Sequence, residues 1–113
     1  MAFQGKDLAH KIYVEMWNNR QFDLIDTLLD PHFCLKGTKT AIQNRDQYKN
    51  VAQEWLKIYP EIQYRLEDVV AAENKIAVRW QGADLSKNFV YNGLTLLIIK
   101  NERVKNAWEY SDA

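Results

Sequence analysis

Leu8, Ile12, Tyr13, Met16 and Trp17 recur at steps of three and four, so they share one face of a helix. Asn18-Asn19 follows, and asparagine ends helices more readily than it extends them. A second, shorter helix turns Phe22, Ile25, Leu28 and Leu29 inward. It stops at Asp30-Pro31, because the residue before a proline avoids the helical region. Phe33 to Leu35 reads as a short strand, and Gly37 to Asn44 as a polar connection. A third helix starts near Asn44 to Asp46 and carries the stripe Tyr48, Val51, Ala52, Trp55, Leu56, Tyr59 before Pro60 closes it. That stripe is first of all core packing. Trp55 and Tyr59 are the members that could also touch a ligand.

After Pro60 the period falls from about four to two, which marks strands. Residues 62 to 72 and 75 to 82 form a hairpin around Glu73-Asn74, since asparagine tolerates the left-handed backbone of a two-residue turn. Such a turn sets Asp68 opposite Arg79, an exposed cross-strand ion pair worth under ~1 kcal/mol. The last hairpin joins Phe89 to Ile99 with Val104 to Asp112. Leu94 and the run Leu96 to Ile99 predict a strand covered on both faces. With Asn101-Glu102 as the turn, Ile99 opposes Val104, Leu97 opposes Asn106, Thr95 opposes Trp108, Gly93 opposes Tyr110 and Tyr91 opposes Asp112. All of these side chains then share one face.

That face has the composition of a small-molecule pocket, apolar and aromatic with a few polar groups near one end. Asp112 at its mouth would be desolvated, its pKa raised towards that of a general acid or base. Tyr91 would bond to it or to a substrate carbonyl. The plainer alternative is that Asp112, near the end of the sequence, is solvated. His10 reads as structural, His32 as a surface residue and Cys34 as a small buried hydrophobe. No Ser/His/Asp arrangement, phosphate loop, cofactor motif or metal motif is present, and His10, His32 and Cys34 are too few for a zinc site.

Composition sharpens this picture at one point. The 113 residues, enough for one domain spanning 1–113, include four Trp, six Tyr and four Phe, rings that need either a core or a cavity to line. Fifteen basic and fifteen acidic side chains cancel with no run of like charge, which argues against nucleic acid as partner. No apolar run approaches the ~20 residues of a membrane span, and no signal segment opens the chain, so the cytoplasm is the simplest compartment.

Three stretches then resemble one family. MWNNRQFDLIDTLLDPHF is similar to the opening of SnoaL-like proteins. NRDQYKNVAQEWLKIYPEIQYRLEDVVAAENKIAVRW resembles their middle block, and NGLTLLIIKNERVKNAWEYSD their closing hairpin, with Trp108 and Asp112 in a Trp-x-x-x-Asp spacing. The family is polyketide cyclase-like and belongs to the nuclear-transport-factor-2-like (cystatin-like α+β) superfamily. The resemblance implies an α+β cone, a strongly curved antiparallel sheet wrapped around three N-terminal helices. It also implies a homodimer through the sheet's outer side. In some members the Asp of that pattern is the acid/base of an aldol ring closure, which maps to Asp112, with Trp108 as a pocket wall.

The expected catalytic pair is therefore Asp112 and Tyr91. The expected ligand-binding set is Tyr13, Trp17, Trp55, Tyr59, Trp80, Asn106, Trp108 and Tyr110, around a small hydrophobic molecule and without cofactor or metal. Three functions fit: cofactor-free acid/base chemistry of cyclase or isomerase type on a small carbonyl compound, ligand binding without turnover, or a dimeric interaction module whose cone is filled by its own aromatics.

Overall fold

The structure is a computed structural model that describes residues 5–37 and 41–112. Residues 38–40 of the polar connection lie outside the described residues. Helix α1 (Gly5–His10) runs directly into π-helical turns over Lys11–Asn18. The wider turn shows in the Asn19 N–H, which donates to the Val14 carbonyl five residues back at 2.9 Å. It buries Ile12, Tyr13, Met16 and Trp17 together. Arg20, in the left-handed region at φ 58°, then turns the chain. Its guanidinium donates to the carbonyls of Pro60 (3.1 Å) and Ile62 (2.8 Å), tying the helix end to the start of the sheet.

Helix α2 (Leu24–Leu28) gives way at Leu29 to strand β1 (Leu29–Lys36), longer than the predicted Phe33 to Leu35. Pro31 fits there because β1 is an edge strand, and its pairing is irregular between Leu29 and Cys34. Helix α3 (Arg45–Ile58) starts where the Asn44 side chain accepts the Gln47 N–H at 2.8 Å. The Arg45 guanidinium donates to the Asp26 and Leu29 carbonyls, closing the end of α2. Lys49 pairs with Asp26 at 2.6 Å, so α2 and α3 are held side by side.

Strands β2 (Gln63–Ala72), β3 (Lys75–Asp84), β4 (Phe89–Lys100) and β5 (Arg103–Ser111) complete a five-stranded sheet in the order β1-β5-β4-β3-β2. The sheet curves without closing, and the helices cover its concave side, as the α+β cone predicts. One pairing departs from that expectation: β1 runs parallel to β5, so the sheet is mixed. The core lies between helices and sheet, with Leu8, Met16, Ile25, Val78, Trp80 and Val104 among its fully buried members.

Both turns form where predicted. Ala72 pairs with Lys75 and Asp68 with Arg79, whose guanidinium meets the Asp68 carboxylate at 2.6 Å. The left-handed residue of that turn is Glu73, not Asn74. Asn101 and Glu102 both take positive φ, 53° and 63°, the backbone of a tight hairpin turn. Ile99 accordingly faces Val104.

One step later the predicted register fails. Ile98 faces Asn106, so Lys105 is an extra residue in β5 and forms a bulge. Because side chains alternate, a one-residue slip sends the rest of the strand to the opposite face. Leu97 pairs with Ala107, Thr95 with Glu109 and Gly93 with Ser111, while Asn106, Trp108 and Tyr110 turn outward.

Two glycines then set the aromatic packing. Gly93 faces Trp80 across β3 and β4, and a Cβ on it would overlap the indole. Gly82 lies between Tyr64 on β2 and Tyr91 on β4, and a Cβ there would stand 2.8 and 2.5 Å from their rings. Gly93→Ala should therefore overpack a fully buried, rigid ring and cost about 1–3 kcal/mol, read as a lowered urea midpoint. An unchanged midpoint would show that Trp80 is free to move away.

Candidate functional site

The cone is not filled by its own side chains. A cavity of about 440 Å³ lies between the helices and the concave sheet face. Of the residues expected at the pocket, Tyr13, Trp17, Trp55, Tyr59, Trp80 and Tyr91 line it. Helix α3 contributes Tyr48 and Ala52 besides Trp55, so its stripe both packs and lines. The rings brace one another: Tyr59 stacks on Phe89 at 4.1 Å and Trp80 meets Tyr91 edge-on at 4.9 Å.

The rest of the expected set lies elsewhere. Asn106, Trp108, Tyr110 and Asp112 are not among the cavity-lining residues, because the Lys105 bulge turns their stretch of chain over. Asp112 is exposed, and its carboxylate accepts the backbone N–H of Asn92 at 2.7 Å and that residue's side-chain amide at 3.2 Å. Those bonds hold its pKa below the ordinary value, the opposite of the expected rise. Tyr91 does not touch it, since Tyr91 faces the cavity.

The acid that does face the cavity is Glu109. It stands opposite Thr95, with Ala107 and Ser111 as its inward neighbours on β5. Burial pushes its carboxyl up to about 7, opposed in part by the Thr95 hydroxyl. Thr95 is itself buried and accepts the Trp80 indole N–H at 2.9 Å. An indole nitrogen is donor only, so that bond leaves the threonine proton to point elsewhere. Nothing short of the bulge marks Glu109 in the sequence, where it follows Trp108 as an ordinary strand residue.

Four of the phenols that share the cavity with this carboxyl are perturbed. Tyr13, Tyr48, Tyr64 and Tyr91 are all raised above the ordinary tyrosine pKa, each chiefly by burial, and each also feels the charge of Glu109. They stay neutral at physiological pH and serve as hydrogen-bond donors. The Tyr64 and Tyr91 hydroxyls share a bond of 2.6 Å, and Tyr48 accepts the Trp17 indole N–H at 3.0 Å. Tyr64 is held from behind: the Asn18 side chain accepts its backbone N–H (2.7 Å) and donates to its carbonyl (2.8 Å). The indole nitrogen of Trp55 is buried and makes no hydrogen bond among the described residues.

Other polar groups are structural. Asp84 is fully buried, which would raise its pKa, but bonds from Ser86 and from the backbone of Glu61 and Lys87 outweigh burial and lower it. It secures the link between α3 and β2. His10 is exposed beside Glu15, His32 is exposed, and Cys34 is half-buried as a free thiol. Among the described residues, no helix is long and apolar enough to cross a membrane.

A family model for SnoaL-like polyketide cyclases matches residues 7–113. The chain belongs to the SnoaL-like polyketide cyclase family. Solved structures agree at the level of fold. IdmH, a candidate polyketide cyclase from Streptomyces antibioticus, is 18% identical and superposes with a TM-score of 0.81 over 97% of this chain and 93% of its own. A candidate polyketide cyclase from Bacillus cereus is 22% identical, with a TM-score of 0.80 over 93% of this chain and 72% of that one. An NTF2-like protein of unknown function from Cytophaga hutchinsonii is 12% identical, with a TM-score of 0.80 over 99% and 93%. No curated protein sequence matches significantly. Membership of this SnoaL-like family gives the chain a small-molecule-binding or cyclase/isomerase-type role.

The half-buried acid makes a stability prediction. Glu109 is raised from 4.5 to about 7 on folding. Below ~pH 4.5 both states hold the proton and the residue is neutral in effect. Between there and ~pH 7 the unfolded chain ionises first and binds fewer protons, so stability falls as pH rises. Above ~pH 7 the loss levels off at ~3 kcal/mol at most. Glu109→Gln should remove this slope, so urea midpoints of the two proteins should converge near pH 4 and diverge by pH 8, with the variant the more stable. Parallel curves would mean that folding does not raise the Glu109 pKa.

Proposed function

We propose that the cavity takes up a small, largely apolar carbonyl compound and that Glu109 exchanges a proton with the carbon beside its carbonyl, without a cofactor. The observation that carries this is a carboxyl held near pKa 7 against an aromatic-lined cavity of about 440 Å³. Near neutral pH such a group is present in both forms, which lets it accept a proton in one step and return it in another. Loss of a proton next to a carbonyl gives an enolate, the nucleophile of an aldol ring closure and the intermediate of an isomerisation. Neutral phenols nearby supply donors for the charge that develops on oxygen. Polyketide chains, rich in carbonyls and readily folded into rings, suit both the chemistry and the walls. Asp112, exposed and committed to Asn92, is a poorer candidate for the acid/base than the resemblance implied.

The test is exchange of the methyl protons of 2-acetylnaphthalene for deuterium in D2O, followed by NMR. Exchange should rise through a midpoint near pH 7 as the carboxylate form appears. Glu109→Gln should slow it by about 10²–10⁴-fold, and Asp112→Asn should leave it within about twofold. Tight binding of the ketone with no protein-dependent exchange would select a binding protein over an enzyme. A collapse of exchange in Asp112→Asn alone would return the role to that residue.

We infer that two copies associate through the convex sheet face. Leu94 faces Tyr110 and Leu96 faces Trp108 there, with Leu94 49% and Tyr110 57% exposed. Contiguous exposed apolar side chains of this kind mark interaction surfaces. Light scattering should give twice the chain mass for the protein and the single mass for Leu94→Lys. A monomeric parent would dispose of the idea.

A further inference from the structure

Resting on the ligand reading above, one corner of the cavity names a feature of the ligand. Tyr64 and Tyr91 approach each other over Gly82, which has no side chain to separate them. Their hydroxyls make a single bond, in which either oxygen could be the donor. Each phenol carries one proton, so one of the two is used and the other is not. The Trp55 indole N–H lies beside this pair. Its ring stands 5.5 Å from that of Tyr91, and its buried N–H is near enough to the Tyr64 hydroxyl to act against the rise in that phenol's pKa but makes no hydrogen bond among the described residues.

Three donor protons therefore meet at two oxygens, and one bond is made. The corner is short of an acceptor. Buried donors are normally satisfied, so an excess of this kind beside a cavity calls for an acceptor from outside the chain. Among the described residues the pocket's acidic acceptor is Glu109, which stands across from Thr95 on the β4–β5 side and is close enough to be felt by both phenols. The phenols keep their protons because burial disfavours their anions, so the corner offers hydrogen and does not compete as a base.

We propose that Tyr64, Tyr91 and Trp55 form a donor corner that takes a single ligand oxygen, so that the ligand is a neutral compound with a keto group at its edge and not a plain hydrocarbon or a carboxylate. A carboxylate would bring a second negative charge into an apolar space that already holds Glu109. A keto oxygen takes up the spare protons and leaves the adjacent carbon free to face the acid. These three residues are assigned to binding and orientation of that oxygen.

The test compares two probes of equal shape, 2-acetylnaphthalene and 2-isopropenylnaphthalene, which differ in having C=O or C=CH2. Titration calorimetry should show the ketone binding about tenfold more tightly, the gain of one or two hydrogen bonds. The infrared stretch of a 13C-labelled carbonyl should move to lower frequency on binding. Tyr64→Phe/Tyr91→Phe should abolish the preference and the frequency shift while leaving the alkene's affinity within about twofold. Trp55→Phe, which removes a single donor, should lower the preference by about threefold and serves if the double variant fails to fold. Equal binding of both probes with no frequency shift would overturn the donor corner and leave the apolar pocket standing. Failure of both probes to bind would overturn the ligand reading itself, and the corner with it.

Discussion

The pairing register of β4 and β5 decides what the cavity contains. The tight turn at Asn101-Glu102 starts the hairpin in one register, and the extra residue Lys105 changes it before the strands reach the cone. From there outward each β5 side chain occupies the face that an unbulged hairpin would have denied it. Ala107, Glu109 and Ser111 gain the interior, while Asn106, Trp108 and Tyr110 take the convex face. A bulge is a small local feature with a global consequence, because the period of a strand is two and a shift of one is a complete inversion. The acid in the cavity and the apolar patch outside it are two results of the same event.

The walls depend on a second constraint, the pairing of small residues with large ones across strands. Gly93 admits the Trp80 indole, and Gly82 admits the rings of Tyr64 and Tyr91 from either side. Without Cβ atoms at these points the aromatic layer lies close on the sheet and leaves room in front of it. The helices supply the opposite wall, through the π-helical turns that bring Tyr13 and Trp17 inward and through α3. Asn18, Arg20 and Asp84 bind the connections between helices and sheet with polar contacts to the backbone. The cavity is therefore held open by a frame of braced rings and anchored loops.

The electrostatics follow from the same burial. A carboxyl removed from water rises in pKa, and so does a phenol, because both lose solvation of their anions. The outcome is an acid near neutrality among phenols that remain protonated. One kind of group can exchange protons at physiological pH and the other can only donate hydrogen bonds. That division of roles is what proton transfer beside a carbonyl requires.

Local pattern determined much of this protein. The steps of three and four from Leu8 to Trp17 and from Tyr48 to Tyr59, the start of the third helix near Asn44 to Asp46, the proline stops and both turns were legible because each rests on neighbours within a few residues. Order and spacing of three motifs were enough to identify the SnoaL-like cone. Six of the expected aromatic positions line the cavity: Trp55 and Tyr59 from α3 and its end, Trp80 and Tyr91 from strands upstream of the bulge, and Tyr13 and Trp17, whose spacing of four keeps them together on the π-helical turns. Tertiary structure decided the rest. The parallel partnership of β1 with β5 joins the first strand of the chain to the last, and the bulge at Lys105 answers to the curvature of the whole sheet, which no local window reports. Asp112 and Glu109 are three residues apart in the chain and on opposite sides of that bulged strand's sheet, one in water and one in the cavity, and only the assembled cone separates them.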